Sequence, residues 1–194
     1  MKNRAIFLDR DGTLNEDPGY LGDPNKLVIF PEVFDSLALL KNKYHFKLIV
    51  ISNQSGIARG LISDKDVIAV NRELNRQLLE HNVYIDDFYF CPFHPEFNTI
   101  EECSCRKPSP KMIFDAAKKH QIDLTKSYLI GDTVSDIQSA DNAGIKSILV
   151  KTGQGLESIS ILQKANNFPS FVSSNLAEAC KYIIKDSFGE ILSV

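Results

Sequence analysis

Five short runs rich in β-branched and aromatic residues recur along the chain, at Ala5 to Leu8, Lys47 to Ser52, Asp87 to Phe90, Tyr128 to Ile130 and Ser147 to Val150, with helix-period patterns between them. Few folds accommodate that alternation, because parallel strands need long crossovers and each crossover helix must bury its apolar stripe on the sheet. The expected fold class is α/β, a three-layer Rossmann-like parallel sheet with helices on both faces. Helix starts are legible too. Ser63 followed by Asp66 makes a variant capping box, after which Val67, Val70, Leu74 and Leu78 repeat on one face to about Glu80. Ser109 and Pro110 read as an N-cap and a first helical residue ahead of Met112, Ile113 and Ala116. Asn175 and Glu178 cap a last helix whose Leu176, Cys180, Ile183 and Ile184 share a side, which makes Cys180 a core residue. No repeat, low-complexity tract or Pro/Gly/Ser linker cuts the chain, so residues 1–194 are expected to form one domain. Leu14 to Phe30, with Pro18, Gly19, Gly22 and Pro24, lacks periodicity and reads as a substrate-facing flap. With no large helical insertion between the motifs, loop flaps and no large cap domain are expected.

Charge and hydropathy limit the partners. Lys and Arg number 22 against 25 Asp and Glu, a formal charge of −3, which argues against a broad electrostatic grip on nucleic acid. An anionic ligand must then be held by a few local cations. Uninterrupted aliphatic runs reach only about four residues, as at Leu48 to Ile51, far short of the ~20 that cross a bilayer. Lys2 and Arg4 imitate the start of a signal peptide, but Asp9, Arg10 and Asp11 break any apolar stretch behind them, so a cytoplasmic location is expected. In such a compartment, the crowding of Cys91, Cys103 and Cys105 with His94 suggests metal more than a disulfide. His45, His81 and His120 lie outside every motif and read as surface residues.

The chemistry concentrates where strands end. Phe7-Leu8-Asp9-Arg10-Asp11-Gly12-Thr13 places two carboxylates at the carboxyl end of a buried strand, the edge at which open parallel sheets bind ligands. Two carboxylates in unlike surroundings can divide the work of nucleophile and acid/base. An acidic turn is the alternative, since Asp-Gly is a common turn pair. Further along, Ser52-Asn53-Gln54-Ser55-Gly56 offers hydroxyl and amide donors suited to phosphate oxygens. Arg106 and Lys107 stand just before a helix. Asp132, after the fourth run, suits a hard cation, with Asp136 one helical turn on to support it.

In this order the four pieces resemble the haloacid dehalogenase superfamily of phosphotransferases, over roughly residues 5 to 150. Asn15-Glu16-Asp17-Pro18-Gly19-Tyr20, Ser52 to Gly60 and Cys91 to Pro108 look like its branch of heptose bisphosphate and histidinol phosphate phosphatases, with the match through Arg59 and Gly60 favouring the heptose enzymes. The resemblance implies that Asp9 takes the phosphoryl group and that Asp11 protonates the leaving oxygen and then activates water. It implies Mg²⁺ on Asp9, Asp132 and the backbone carbonyl of Asp11, with Asp136 behind them and Lys107, Ser52 and Asn53 as donors. Substrate contacts are expected from Asp17, Gly19, Tyr20, Asn53, Gln54, Ser55, Arg59 and Arg106.

Two positions depart from the family pattern. The branch carries Cys-x-His followed by Cys-x-Cys, a tetrahedral zinc site, whereas here Phe93 stands at the histidine position and His94 one residue later. Structural Zn²⁺ on Cys91, His94, Cys103 and Cys105 is still the expectation. Thr133 stands where heptose phosphatases commonly have lysine, which weakens the case for a second phosphate. The leading expectation is a monomeric Mg²⁺-dependent sugar phosphatase acting on a small phosphorylated molecule. Histidinol phosphatase is the alternative within the class, and a non-catalytic phosphate-binding domain the alternative outside it.

Overall fold

A computed structural model describes residues 2–191. Six strands, β1 (Ala5–Leu8), β2 (Lys47–Asn53), β3 (Asp87–Cys91), β4 (Tyr128–Gly131), β5 (Lys146–Val150) and β6 (Phe171–Ser173), form one parallel sheet in the order β3-β2-β1-β4-β5-β6. The chain winds outward from β1 to β3, then returns to the other side of β1 and winds outward again. That reversal leaves a crevice between the carboxyl ends of β1 and β4, the place where open α/β sheets bind ligands.

Strand alternation sorts the helices into two layers. Ile6, Leu8, Leu48, Val50, Ile130 and Val150 face a core shared with α1 (Glu32–Ala38), α2 (Asp64–Glu80) and α6 (Leu176–Phe188). Ala5, Phe7, Ile49, Ile51 and Leu129 face α3 (Lys111–His120) and α4 (Val134–Ala143) on the other side. A further cluster of Ile137, Leu149 and Leu162 joins α4 to α5 (Gly155–Lys164) over β5. The three-layer architecture expected from the alternation is the one observed.

Local signals hold with small shifts. The Ser63 capping box of α2 is present, its apolar row is buried, and Asn175 caps α6. Helix α3 begins one residue later than Ser109-Pro110 suggested, with Pro110 at the cap and no side-chain cap bond. Between β1 and α1, residues 9–31 contain one short 3₁₀ turn at Pro24–Lys26, so the flap is loop as expected. It is well anchored, because Leu14, Leu21, Leu27 and Ile29 are buried and Glu16 and Phe30 donate backbone hydrogen bonds to Val28 and Leu14. His45 and His81 are exposed, but His120 is only partly so, its Nε2 lying 2.8 Å from Asp87. Among the described residues, no helix is long and apolar enough to cross a membrane.

Candidate active site

Asp9 directly follows β1 and Asp132 directly follows β4, so the crevice brings together two carboxylates 123 positions apart in the chain. Asp136 joins them from the first turn of α4, and oxygens of the three lie within 4.8 Å of one another. All three are buried, at 7, 2 and 0% exposure. Asp136 Oδ2 caps the helix by accepting from the Thr133 hydroxyl at 2.6 Å and backbone N–H at 3.0 Å. Its Oδ1 lies 2.6 Å from Lys107 Nζ, which also reaches Asp9 Oδ1 at 2.9 Å and the Ile51 carbonyl at 3.0 Å. Those three acceptors match the three protons of an ammonium. Lys107 is thus fully engaged here, so a phosphate oxygen has to share one of those protons.

Three carboxylates facing one ammonium leave a buried negative excess. Burial raises the Asp9 pKa well above the usual carboxylate range, and Asp136 and Asp132 add to this, outweighing Lys107. Asp132 is pushed up to about 6, first by burial and then by Asp136. Burial works against the Lys107 cation, but Asp136 and Asp9 hold its pKa above the ordinary lysine value. A compact oxygen-only donor set with uncompensated charge fits a hard divalent cation such as Mg²⁺. The loops are shaped around it. Asp132 is oriented by the Thr13 hydroxyl at 3.1 Å and the Gln154 N–H at 2.8 Å, and a Cβ on Gly12 would lie 2.3 Å from its Oδ2.

Asp11 occupies a different environment from Asp9. Its carboxylate accepts from Arg10 Nε at 3.1 Å and Nη2 at 2.8 Å, from Asn15 Nδ2 at 3.0 Å and from Gln54 Nε2 at 2.9 Å. Burial opposes its charge, but the Arg10 guanidinium and these hydrogen bonds prevail and lower its pKa. Two neighbouring aspartates are therefore driven in opposite directions.

A cavity of about 610 Å³ opens over these groups. Asp17, Gly19 and Tyr20 of the flap line it, as do Ser52, Asn53, Gln54, Ser55, Arg106 and Lys107. Asn53, however, spends its side chain on Lys107, accepting from its N–H at 3.0 Å and donating to its carbonyl at 3.2 Å. Ser52 Oγ accepts from Gln54 at 2.7 Å. Arg59 is not brought to the cavity wall: it pairs with Glu96 at 2.9 Å and packs against the Phe97 ring. Sequence reasoning missed the wall built by Gln154, Glu157, Ser158 and Ile161 of the β5–α5 corner. The small and turn-forming Thr152-Gly153-Gln154-Gly155 after a strand was the available signal. Arg10, Thr13 and Asn15 were also missed, since nothing local distinguishes them from turn residues.

The expected zinc ligand set is not assembled. Cys91 and Cys105 are joined by a disulfide, and Cys103 is free. Phe93, at the family's histidine position, packs against the core, while His94 faces Arg59 and Glu96. The disulfide takes two of the four donors, so the preference for metal over a disulfide is corrected here. Among the described residues, the aspartate trio is the one cluster with metal-ligand spacing.

Comparison with known proteins agrees with this geometry. A family model described as HAD-hydrolase-like matches residues 104–179. The chain is 41% identical over 155 residues to the D-glycero-β-D-manno-heptose-1,7-bisphosphate 7-phosphatase of Haemophilus influenzae, covering 78% of this chain and 84% of the relative. It is 38% identical over 187 residues to the Escherichia coli K12 protein of the same name, covering 93% and 94%. The crystal structure of D,D-heptose 1,7-bisphosphate phosphatase from B. bronchiseptica, complexed with magnesium and phosphate, superposes with a TM-score of 0.84 at 29% identity, over 94% of this chain and 99% of that one. With relatives this similar along nearly its whole length, the chain belongs to the haloacid dehalogenase superfamily, in its D-glycero-D-manno-heptose-1,7-bisphosphate 7-phosphatase branch.

Proposed function

We propose that the chain is a Mg²⁺-dependent phosphatase that removes the 7-phosphate of D-glycero-D-manno-heptose 1,7-bisphosphate through an aspartyl phosphate on Asp9. The observation that carries this reading is the convergence of Asp9, Asp132 and Lys107 at the crevice between β1 and β4. Asp9 and Asp132 would hold the Mg²⁺, with the Asp11 backbone carbonyl. The ion, when bound, neutralises charge on the transferring phosphoryl group. An Asp9 oxygen attacks phosphorus as the bond to the sugar oxygen breaks, and Asp11, which must first take up a proton from solvent against the pull of Arg10, passes it to that oxygen. Asp11 then takes a proton from the water that hydrolyses the acyl phosphate, so one carboxyl serves both halves. Lys107 holds Asp9 in place and favours its ionised form against the burial that raises its pKa, while Ser52 and the backbone beside it supply donors to the phosphate. Arg106 is the second cation of the cavity and is assigned to the distal phosphate; Asp17, Gly19 and Tyr20 bound the sugar.

Zinc belongs to this reading only in the reduced chain, since breaking the Cys91–Cys105 bond is what would free those thiols to join Cys103 and His94. A single-domain, monomeric, cytoplasmic enzyme is the form assigned to it.

The test is turnover of heptose 1,7-bisphosphate, histidinol phosphate and an aryl phosphate, each with Mg²⁺ and with EDTA. Preference for the heptose, lost with EDTA, is expected. Preference for histidinol phosphate would move the chain to the alternative, and no turnover of any of the three would make it a binding domain. Arg106→Ala should cost the bisphosphate roughly tenfold or more in kcat/KM while leaving small monophosphates within about threefold, as removal of one charge-assisted contact predicts.

A further inference from the structure

Arg10 stands between Asp9 and Asp11 in the chain and has 0% exposure, the largest fully buried side chain of the described residues. A guanidinium is rarely taken so far from water unless each of its nitrogens finds an acceptor. Here the fork grips Asp11 through Nε and Nη2, and Nη1 turns the other way to Asn71 Oδ1 at 3.0 Å. Asn71 is itself a buried polar residue, beside Val70 and Leu74 on the face that α2 packs against the sheet. Nothing in the helical pattern calls for an amide there, and Arg10 is the partner that accounts for it. The Arg10 backbone is fixed as well, its N–H donating to Asp9 Oδ1 at 2.8 Å and its carbonyl accepting from Leu14 N–H at 2.8 Å.

We propose that Arg10, anchored by Asn71 of α2, is a positioning residue that sets where the Asp11 carboxyl sits relative to the reacting phosphate. The inference rests on the phosphatase reading and adds to it a pair of residues that touch neither substrate nor metal. With two bonds from Arg10 and one each from Asn15 and Gln54, Asp11 is held in one orientation. A planar fork defines a carboxylate's plane in a way that a lysine ammonium cannot. Asn71 defines the plane of the fork in turn, so a helix on the far side of β1 and β2 from α3 bears on the acid/base group through one intermediate side chain.

The deciding experiment compares Asn71→Ala and Arg10→Lys with wild type in single-turnover reactions of the whole chain with Mg²⁺. One substrate is a sugar phosphate, whose leaving alkoxide needs a proton. The other is 2,4-dinitrophenyl phosphate, whose leaving group needs none. If the pair positions the acid, release of the sugar slows on the order of 10²-fold, while the dinitrophenolate burst changes by less than about threefold. Inhibition by inorganic phosphate should be unchanged, and Asn71→Asp, which keeps an acceptor for Nη1, should restore the sugar rate. A merely structural role slows both substrates alike, and equal loss on both, or none on either, overturns the proposal. Should Arg10→Lys not fold, the two Asn71 variants decide alone. Wild type that releases neither leaving group would undo the phosphatase reading itself, and this proposal with it.

Discussion

At the scale of single residues, the site turns on two aspartates whose surroundings differ more than their positions in the chain do. Asp9 has neighbouring carboxylates and one lysine, whereas Asp11 has a guanidinium and two amides. Asp9→Asn should therefore lower turnover on the order of 10³-fold or more in a protein that melts as wild type does, because an amide cannot form the acyl phosphate. Rate assays beside a thermal melt check this. Asp132 supplies a pH signature. Its folded pKa of about 6 lies above the ordinary 3.8, so the folded chain binds the extra proton, and stability from this group is full below 3.8 and lost as pH rises through 6. Cation binding needs the ionised form. The Mg²⁺-induced rise in Tm should accordingly be larger at pH 8 than at pH 5.5, and Asp132→Asn should remove it at both; equal shifts at the two pH values would locate the ion elsewhere.

Elements decide which of those residues meet. Asp9, Ser52 and Asp132 were legible because strands end in recognisable turn and donor residues. Arg10 and Asn71 were not, since a buried polar pair across β1 and α2 has no local pattern. Strand β6 and helix α5 escaped notice for a related reason: Phe171–Ser173 is too short to show a period, and the Gly155 start of α5 lacks a side-chain cap. The turn after β1 is tightly packed. Gly12 has φ +80° and no room beside Asp132, so Gly12→Ala should cost about 1–3 kcal/mol of stability and weaken the Mg²⁺-dependent Tm shift, measurable by denaturant titration with and without the ion. The cysteine loop does not gather the four expected ligands in this arrangement. Phe93 went into the core instead of toward a metal, and the thiols on either side of it closed on each other. Thiol titration of denatured protein prepared without reductant should find two free cysteines, whereas the reduced chain should show four and take up zinc that the oxidised form does not; four free thiols without reductant would rule out the bond.

For the molecule as a whole, fold class and motif order were readable from residues 5 to 150, but the cavity was not, because its walls come from segments remote in sequence. The flap near residue 20 and the β5–α5 corner near residue 155 face the same space, and no window of sequence contains both. The bond from the Thr13 hydroxyl to Asp132 spans 119 positions, and that from the Thr152 hydroxyl to the Gly12 carbonyl spans 140. Closing such contacts is the slow part of forming a parallel sheet. A ribosome that has extruded only the first half of this protein has therefore released β1, β2 and Asp9 without Lys107, Asp132 and Asp136. Hydrolysis would be switched on by synthesis of the final third, so that the onset of activity during translation reports completion of the tertiary structure rather than release of Asp9.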